Sequence, residues 1–237
     1  VIKHDGSVTG VLVFCPAGNQ IISAHTAGNL YSIAQLLTAS GIRSQFMWMS
    51  MSDIIDSRNV SITKFYDEFP QCSHFLSLDN DMHFTPQLII DMFKAGKDVT
   101  GIAYAKREYP LSVILRPLND DNKVIDGFLE VSGVGGGVLL VKRDVVSKIM
   151  KKFPEVNDCN DVGTMGKTGI TRVIRAFDRL EAGGVRLSED FAFCERARQA
   201  GCEVWANVSH AIGHVGPFEY TMRYGDIIAA HQQKEAA

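Results

Sequence analysis

Residues 75–84 read FLSLDNDMHF and place two carboxylates, Asp79 and Asp81, two positions apart at the end of an apolar run. In an extended chain, residues i and i+2 point to the same side, so Asp79 and Asp81 aim together while Asn80 turns away. Two carboxylates on one side repel each other unless a cation sits between them, and hard oxygen donors suit Mg2+ or Mn2+. Asp and Asn are also ordinary turn formers. On its own the triplet therefore leaves two readings open, a surface turn and a cation site. His83, the nearer imidazole, is read as a structural residue.

Two later segments carry groups of the same chemical kind. In LSEDFAFCERARQAGCEVW (187–205), Ser188 is placed to cap a helix whose first turn holds Glu189 and Asp190. Acidic residues there complement the helix dipole. Alternatively, Asp190 positions or deprotonates an attacking hydroxyl. In HAIGHVGPF (210–218), His214 precedes Val215-Gly216-Pro217 on a tight segment after a strand. It reads either as a hydrogen-bonded structural histidine or as an imidazole ligand joining carboxylates on Mn2+.

Two glycine-rich stretches fall short of known phosphate-binding patterns. SGVGGGVLLV (132–141) misses GxGxxG because Val138 holds the last required position, and its glycines precede a strand. Gly133 and Gly135–Gly137 still let backbone approach a ligand or another chain segment closely. GTMGKT (163–168) lacks the first glycine of a phosphate loop, since Asp161 stands there, and Lys167 reads as a solvated or lid residue.

The elements that must position these groups follow from periodicity. Apolar runs at 10–18, 44–50, 74–79 and 98–105 predict strands. Helical spacing over about 23–40 and 53–69, and again from Pro86 to Ala95, predicts helices between them. This alternation implies an α/β fold with a mainly parallel central sheet flanked by helices. Further strands are expected at 111–115 and 137–142 and a helix over 144–152, whereas the polar, aperiodic 155–185 reads as a mobile loop. With no repeat and no linker, residues 1–237 are taken as one domain.

At 237 residues, 46% hydrophobic and 22% charged, the chain has the composition of a soluble globular protein. A formal net charge of -3 argues against bulk nucleic-acid binding. Five scattered cysteines without a CxxC pair argue against a zinc ribbon or disulfide framework and favour free thiols in a reducing, cytoplasmic compartment. No apolar run approaches the ~20 residues that span a bilayer. Because the chain starts at Val1, the lack of a targeting segment carries little weight.

Taken in order, the features resemble the nucleotide-sugar-dependent glycosyltransferases of the GT-A fold, of bacterial and viral type. They are a strand ending in Asp79-Asn80-Asp81, glycines 133–137 before a strand, a helix opening with Glu189-Asp190, and His214-Val215-Gly216. Ser57-Arg58-Asn59 and Tyr104–Arg107 add to the likeness, which spans about residues 10–218. It implies a nucleotide-sugar-binding, Rossmann-like half over about 10–105 and an acceptor-binding half over about 106–220. The implied reaction is hexosyl transfer from a nucleoside diphosphate sugar, UDP favoured over GDP, to an acceptor hydroxyl. The acceptor class stays open among a glycan, a lipid-linked sugar, a protein and a modified nucleobase.

The same resemblance implies Mn2+ or Mg2+ on Asp81 and His214 with Asp79, the latter also reaching the ribose. Pro16, Ala17, Gly18, Asn19, Arg58 and Asn80 would hold the nucleotide, and Gly135 and Gly136 would line the donor–acceptor junction. Asp190, with Glu189, would act on the acceptor, while Lys106 and Arg107 are candidates for phosphate or an acidic acceptor. Segment 155–185 would close over the donor. Asp190 suits an inverting enzyme and His214 equally suits a retaining one. Two alternatives are a sugar nucleotidyltransferase and a non-catalytic nucleotide- or sugar-binding module. The former calls for a basic, Gly-rich loop after the first strand, where this chain has CPAGNQ.

Overall fold

A computed structural model of the chain describes residues 1–3, 6–118 and 123–235. Its N-terminal part alternates strand and helix: β1 (Gly10–Pro16), α1 (Ala24–Ala39), β2 (Arg43–Met49), α2 (Ile54–Asp67) and β3 (His74–Leu78). There follow β4 (Met82–His83), α3 (Gln87–Ala95), β5 (Val99–Ile102), β6 (Leu115–Pro117), β7 (Val124–Ile125), β8 (Phe128–Val134), β9 (Val138–Lys142) and α4 (Arg143–Lys152). The remainder comprises β10 (Asn157–Asp158), α5 (Val162–Thr168), β11 (Val173–Ile174), β12 (Glu181–Ala182), β13 (Val185–Arg186), α6 (Glu189–Gln199), β14 (Val204–Asn207), β15 (Ile212–Val215), β16 (Glu219–Met222) and α7 (Tyr224–Glu235).

Nine strands form one sheet in the order β2-β1-β3-β9-β5-β14-β8-β6, with β7 also on β8. Strands β2, β1, β3, β5, β14, β6 and β7 run one way, and β9 and β8 run against them. The mainly parallel sheet flanked by helices is thus as expected. Every residue of β1 is buried because both faces of that strand are covered. Its alternation divides the core: Leu12 and Phe14 join Ile62, Phe65, Phe75 and Val145, whereas Val11 and Val13 join Ile33, Leu37, Leu76 and Leu88.

Strand order reverses at β1, with β2 on one side and β3 on the other. Helix α1, which follows β1, covers one face and α2, which leads into β3, covers the other, so the carboxyl ends of β1 and β3 lie at the kind of order reversal where α/β sheets receive ligands. Beyond it, β16, β15 and β4 form a separate three-stranded sheet, which carries His214.

The 155–185 segment is not the mobile loop its sequence suggests. It contains α5, and β10 pairs with β11. Val156, Ile174, Ala176 and Phe177 anchor it in the core without helical or strand periodicity, and polar contacts order the rest. Asp161 caps α5 by accepting from Thr164 N at 3.0 Å, and Gly169 ends it at φ 73°. Arg175 bridges Asp158 and Asp161, each at 2.7 Å. The segment then docks on an unusually polar, buried stretch of α2. Asn59 Oδ1 accepts from Phe177 N at 2.9 Å, and Thr63 Oγ1 accepts from Ile174 N at 2.8 Å. A segment held this way is not a free lid.

Other boundaries also shift. The strand expected at 111–115 reduces to its last residue and an isolated bridge from Val113 to Ala105. His214 lies within β15 rather than after a strand. Four cysteines are buried and Cys159 is exposed, all as free thiols. Among the described residues no helix is long and apolar enough to cross a membrane.

Candidate active site

The Asp79–Asp81 triplet leaves β3 at its carboxyl end and is fixed from both flanks. Asp79 N donates to Gly137 O at 2.9 Å, and Asn80 Nδ2 donates to Ile21 O at 2.7 Å. Val215 N donates to Asp81 O at 2.7 Å, which ties the triplet to β15. Thr26 and Asn29 of α1 hold Met82 O at 3.0 and 3.1 Å. Both neighbouring charges bear on Cys15 of β1, whose thiol is pushed up to about 12 by burial and then by Asp79 and Asp81.

The two carboxylates have different cationic partners. Arg58 Nη2 donates to both oxygens of Asp79, at 2.9 and 3.0 Å, while Arg58 Nη1 donates to Glu189 Oε1 at 2.6 Å. Arg58 is almost fully buried, so it grips protein carboxylates and not an open nucleotide groove. Burial alone would lower its pKa, but Asp79, Glu189 and Asp190 outweigh that and raise it. Burial raises Asp79 and Glu189 in turn, and Arg58 opposes the rise in each.

Asp81 faces the other way in function. Its Oδ2 lies 3.0 Å from Arg107 Nη1 and 3.4 Å from His214 Nε2. His214 Nδ1 is 2.9 Å from Ala105 O. A carbonyl only accepts, so Nδ1 carries a proton there and Nε2 is the ring atom that faces Asp81. The edge of the ring is held against Tyr104, centroids 5.2 Å apart. Gly216 leaves room for Arg107, since a Cβ there would sit 3.0 Å from Arg107 Cδ.

The glycine run packs on this network. A Cβ on Gly136 would fall 2.5 Å from Arg58 Nη2, and one on Gly135 would fall 2.7 Å from Tyr104 Oη. Their absent side chains admit other chain segments, which is one of the two uses the sequence left open. Gly136 N donates to Asp190 Oδ2 at 3.2 Å, and Gly137 N donates to Tyr104 Oη at 3.1 Å. Asp190 is buried, and Ser188 does not cap α6 as expected but donates its hydroxyl to Asp190 Oδ1.

A groove of about 230 Å³ runs along the carboxyl ends of β1, β2 and β3, lined by Pro16, Gly18, Met49, Met51, Ser52, Ile54, Ser57 and the Asp79–Asp81 triplet. Ala17 is buried beneath its β1 side, and Asn19 takes a left-handed φ of 54° in the same turn. Of the residues from the end of β2 and the start of α2, Met49, Met51, Ser52 and Ile54 have no motif to mark them. Only the rule that ligands meet strand ends at an order reversal points to them.

No family model matches the sequence, and no curated protein matches it. Among solved structures, A197 from STIV is similar with a TM-score of 0.51 at 15% identity, covering 91% of each chain. The catalytic domain of Drosophila beta1,4galactosyltransferase 7 gives 0.40 at 15% identity, over 84% of this chain and 65% of that one. A glycosyltransferase involved in glycosylation of the major capsid of PBCV-1 gives 0.34 at 14% identity, over 57% and 61%. The chain shares its fold with A197 through nearly the whole length of both chains.

Proposed function

We propose that the chain is a metal-dependent glycosyltransferase moving a hexosyl group from a nucleoside diphosphate sugar, UDP favoured, to an acceptor hydroxyl. The observation that carries this reading is the approach of Asp81 Oδ2 to His214 Nε2. They are 3.4 Å apart at the end of a central strand, with the other ring nitrogen committed to a backbone carbonyl. With its lone pair free, Nε2 would join the Asp81 oxygen in holding a cation between them. Ligands about 2.1 Å from an ion at right angles are ~3 Å apart, so the pair suits Mn2+ or Mg2+. Such a cation would supply neutralisation of the diphosphate leaving group.

In this reading the turn Pro16–Asn19, with Asn80, holds the nucleotide in the groove. Asp79 belongs at its ribose end, and joins the metal only by releasing an oxygen from Arg58. Arg58 positions Asp79 and Glu189 from beneath. Arg107, now on Asp81, is the cationic group available to the diphosphate. Gly135 and Gly136 bring Asp190 to the junction of the nucleotide half (10–105) and the acceptor half (106–220). There the acceptor O–H gives its proton to Asp190, its oxygen bonds to the sugar carbon, and the sugar–phosphate bond breaks.

Calorimetry with UDP-, GDP- and TDP-sugars, with and without Mn2+, tests this. The expected result is binding that requires Mn2+ and is strongest for a UDP-sugar; equal binding without the cation contradicts it. In Asp190→Asn, donor binding is expected to persist while transfer falls by ~10²–10⁴, read as donor affinity against product formation.

A further inference from the structure

His83 looked purely structural in the sequence, yet it is one corner of a second constellation. His25 in the first turn of α1, His83 on β4 and Glu219 on β16 each offer a ligand atom within 4.8 Å of the others. His83 Nδ1 is 2.7 Å from Glu219 Oε1, and the rings of His25 and His83 stack with centroids 4.1 Å apart. Pairing places Met82 opposite His214 and His83 opposite Gly213. Since successive strand residues face opposite ways, His83 lies on the face away from His214.

Gly213 makes the arrangement possible. It is the residue of the middle strand that Glu219 must cross to reach His83, and a Cβ there would lie 2.0 Å from Glu219 Oε1. Thr221 Oγ1 then donates to that same oxygen at 3.4 Å, orienting the carboxylate as outer-shell partners orient metal ligands.

We propose that His25, His83 and Glu219 form a binding site for a borderline transition-metal ion such as Zn2+, distinct from the proposed catalytic cation. Two imidazoles and one carboxylate are a three-ligand set typical of zinc, with water as the fourth ligand, and they discriminate against Mg2+, which prefers oxygen throughout. The ion takes the place of the direct contact between His83 Nδ1 and Glu219 Oε1. Tetrahedral ligands at zinc lie ~3.4 Å apart, so Glu219 draws back from its 2.7 Å contact with His83 Nδ1, and His25, exposed on its helical turn, rotates in to close the site. Bound metal would tie the start of α1 to β4 and β16. It would stiffen the strand that follows Asp81, without depending on the glycosyltransferase reading.

The test is calorimetry of Zn2+ into chelator-treated full chain carrying Cys159→Ser, which removes the one exposed thiol. The expected result is one Zn2+ per chain, weakened at least ~10-fold by His25→Ala and by Glu219→Gln, and unchanged in Asp81→Ala. Because His25 is exposed, its replacement leaves the fold intact, as circular dichroism should verify. Zn2+ binding insensitive to His25→Ala, binding lost in Asp81→Ala, or binding seen only at millimolar metal would each overturn the proposal.

Discussion

Arg58 is the residue on which the site is built. It satisfies Asp79 and Glu189 from a buried position, and Arg58 Nε has no partner among the described residues. Replacing it leaves two carboxylates uncompensated next to Asp190. Arg58→Met is therefore expected to cost ~3–5 kcal/mol of stability, measured by urea denaturation at neutral pH. A second residue-scale prediction concerns His74, at the start of β3. Burial, with Lys142 nearby, holds its pKa down at about 4. The unfolded chain takes up a proton near pH 6.5 that the folded chain refuses until about pH 4, so stability falls as pH drops through that window. The loss approaches ~3 kcal/mol at one pKa unit per 1.36 kcal/mol. His74→Gln should flatten the drop in urea midpoint between pH 7 and pH 4.5. Neither role was legible beforehand. The resemblance put Arg58 on the nucleotide, and only the fold reveals that Ser57, Arg58, Asn59, Ser61 and Thr63 face inward and that Arg58 grips two carboxylates.

At the scale of elements, the connection from β8 to β9 is the critical one. Gly136 rests on the guanidinium of Arg58 and offers its N–H to Asp190, so it joins both halves of the carboxylate network. Gly136→Ala is expected to lower stability by ~1–3 kcal/mol through overpacking and to displace Arg58, detectable as a reduced unfolding midpoint. Elements built on apolar contacts were readable. β1, α1, β2, β3, α3 and β9 follow from unbroken apolar runs or helical spacing. Elements built on charge were not. α5 depends on Asp161 as its cap and on Arg175 spanning two aspartates. β8 (FLEVSGV) mixes alternation with glycine and yields no clear run. The pairing of Asp81 with His214 crosses from β3 to β15, a link that only the ordered motif resemblance anticipated.

For the whole molecule, the order reversal at β1 explains why residues from positions 16 to 81 share one groove, while the antiparallel β9 and β8 deliver the glycine run and α6 beside it. The small β16-β15-β4 sheet folds His214 back to the strand end and presents His83 on its reverse side. The proposed function turns on Asp81 and His214 holding a divalent cation for a nucleotide-sugar donor. The most direct test is Mn2+-dependent hydrolysis of a UDP-sugar by the wild-type chain and by Asp81→Ala, with circular dichroism to verify folding. Metal-dependent hydrolysis by the wild type and its loss in the folded variant are expected, whereas hydrolysis unchanged by the substitution would rule out Asp81 as a ligand of the required cation.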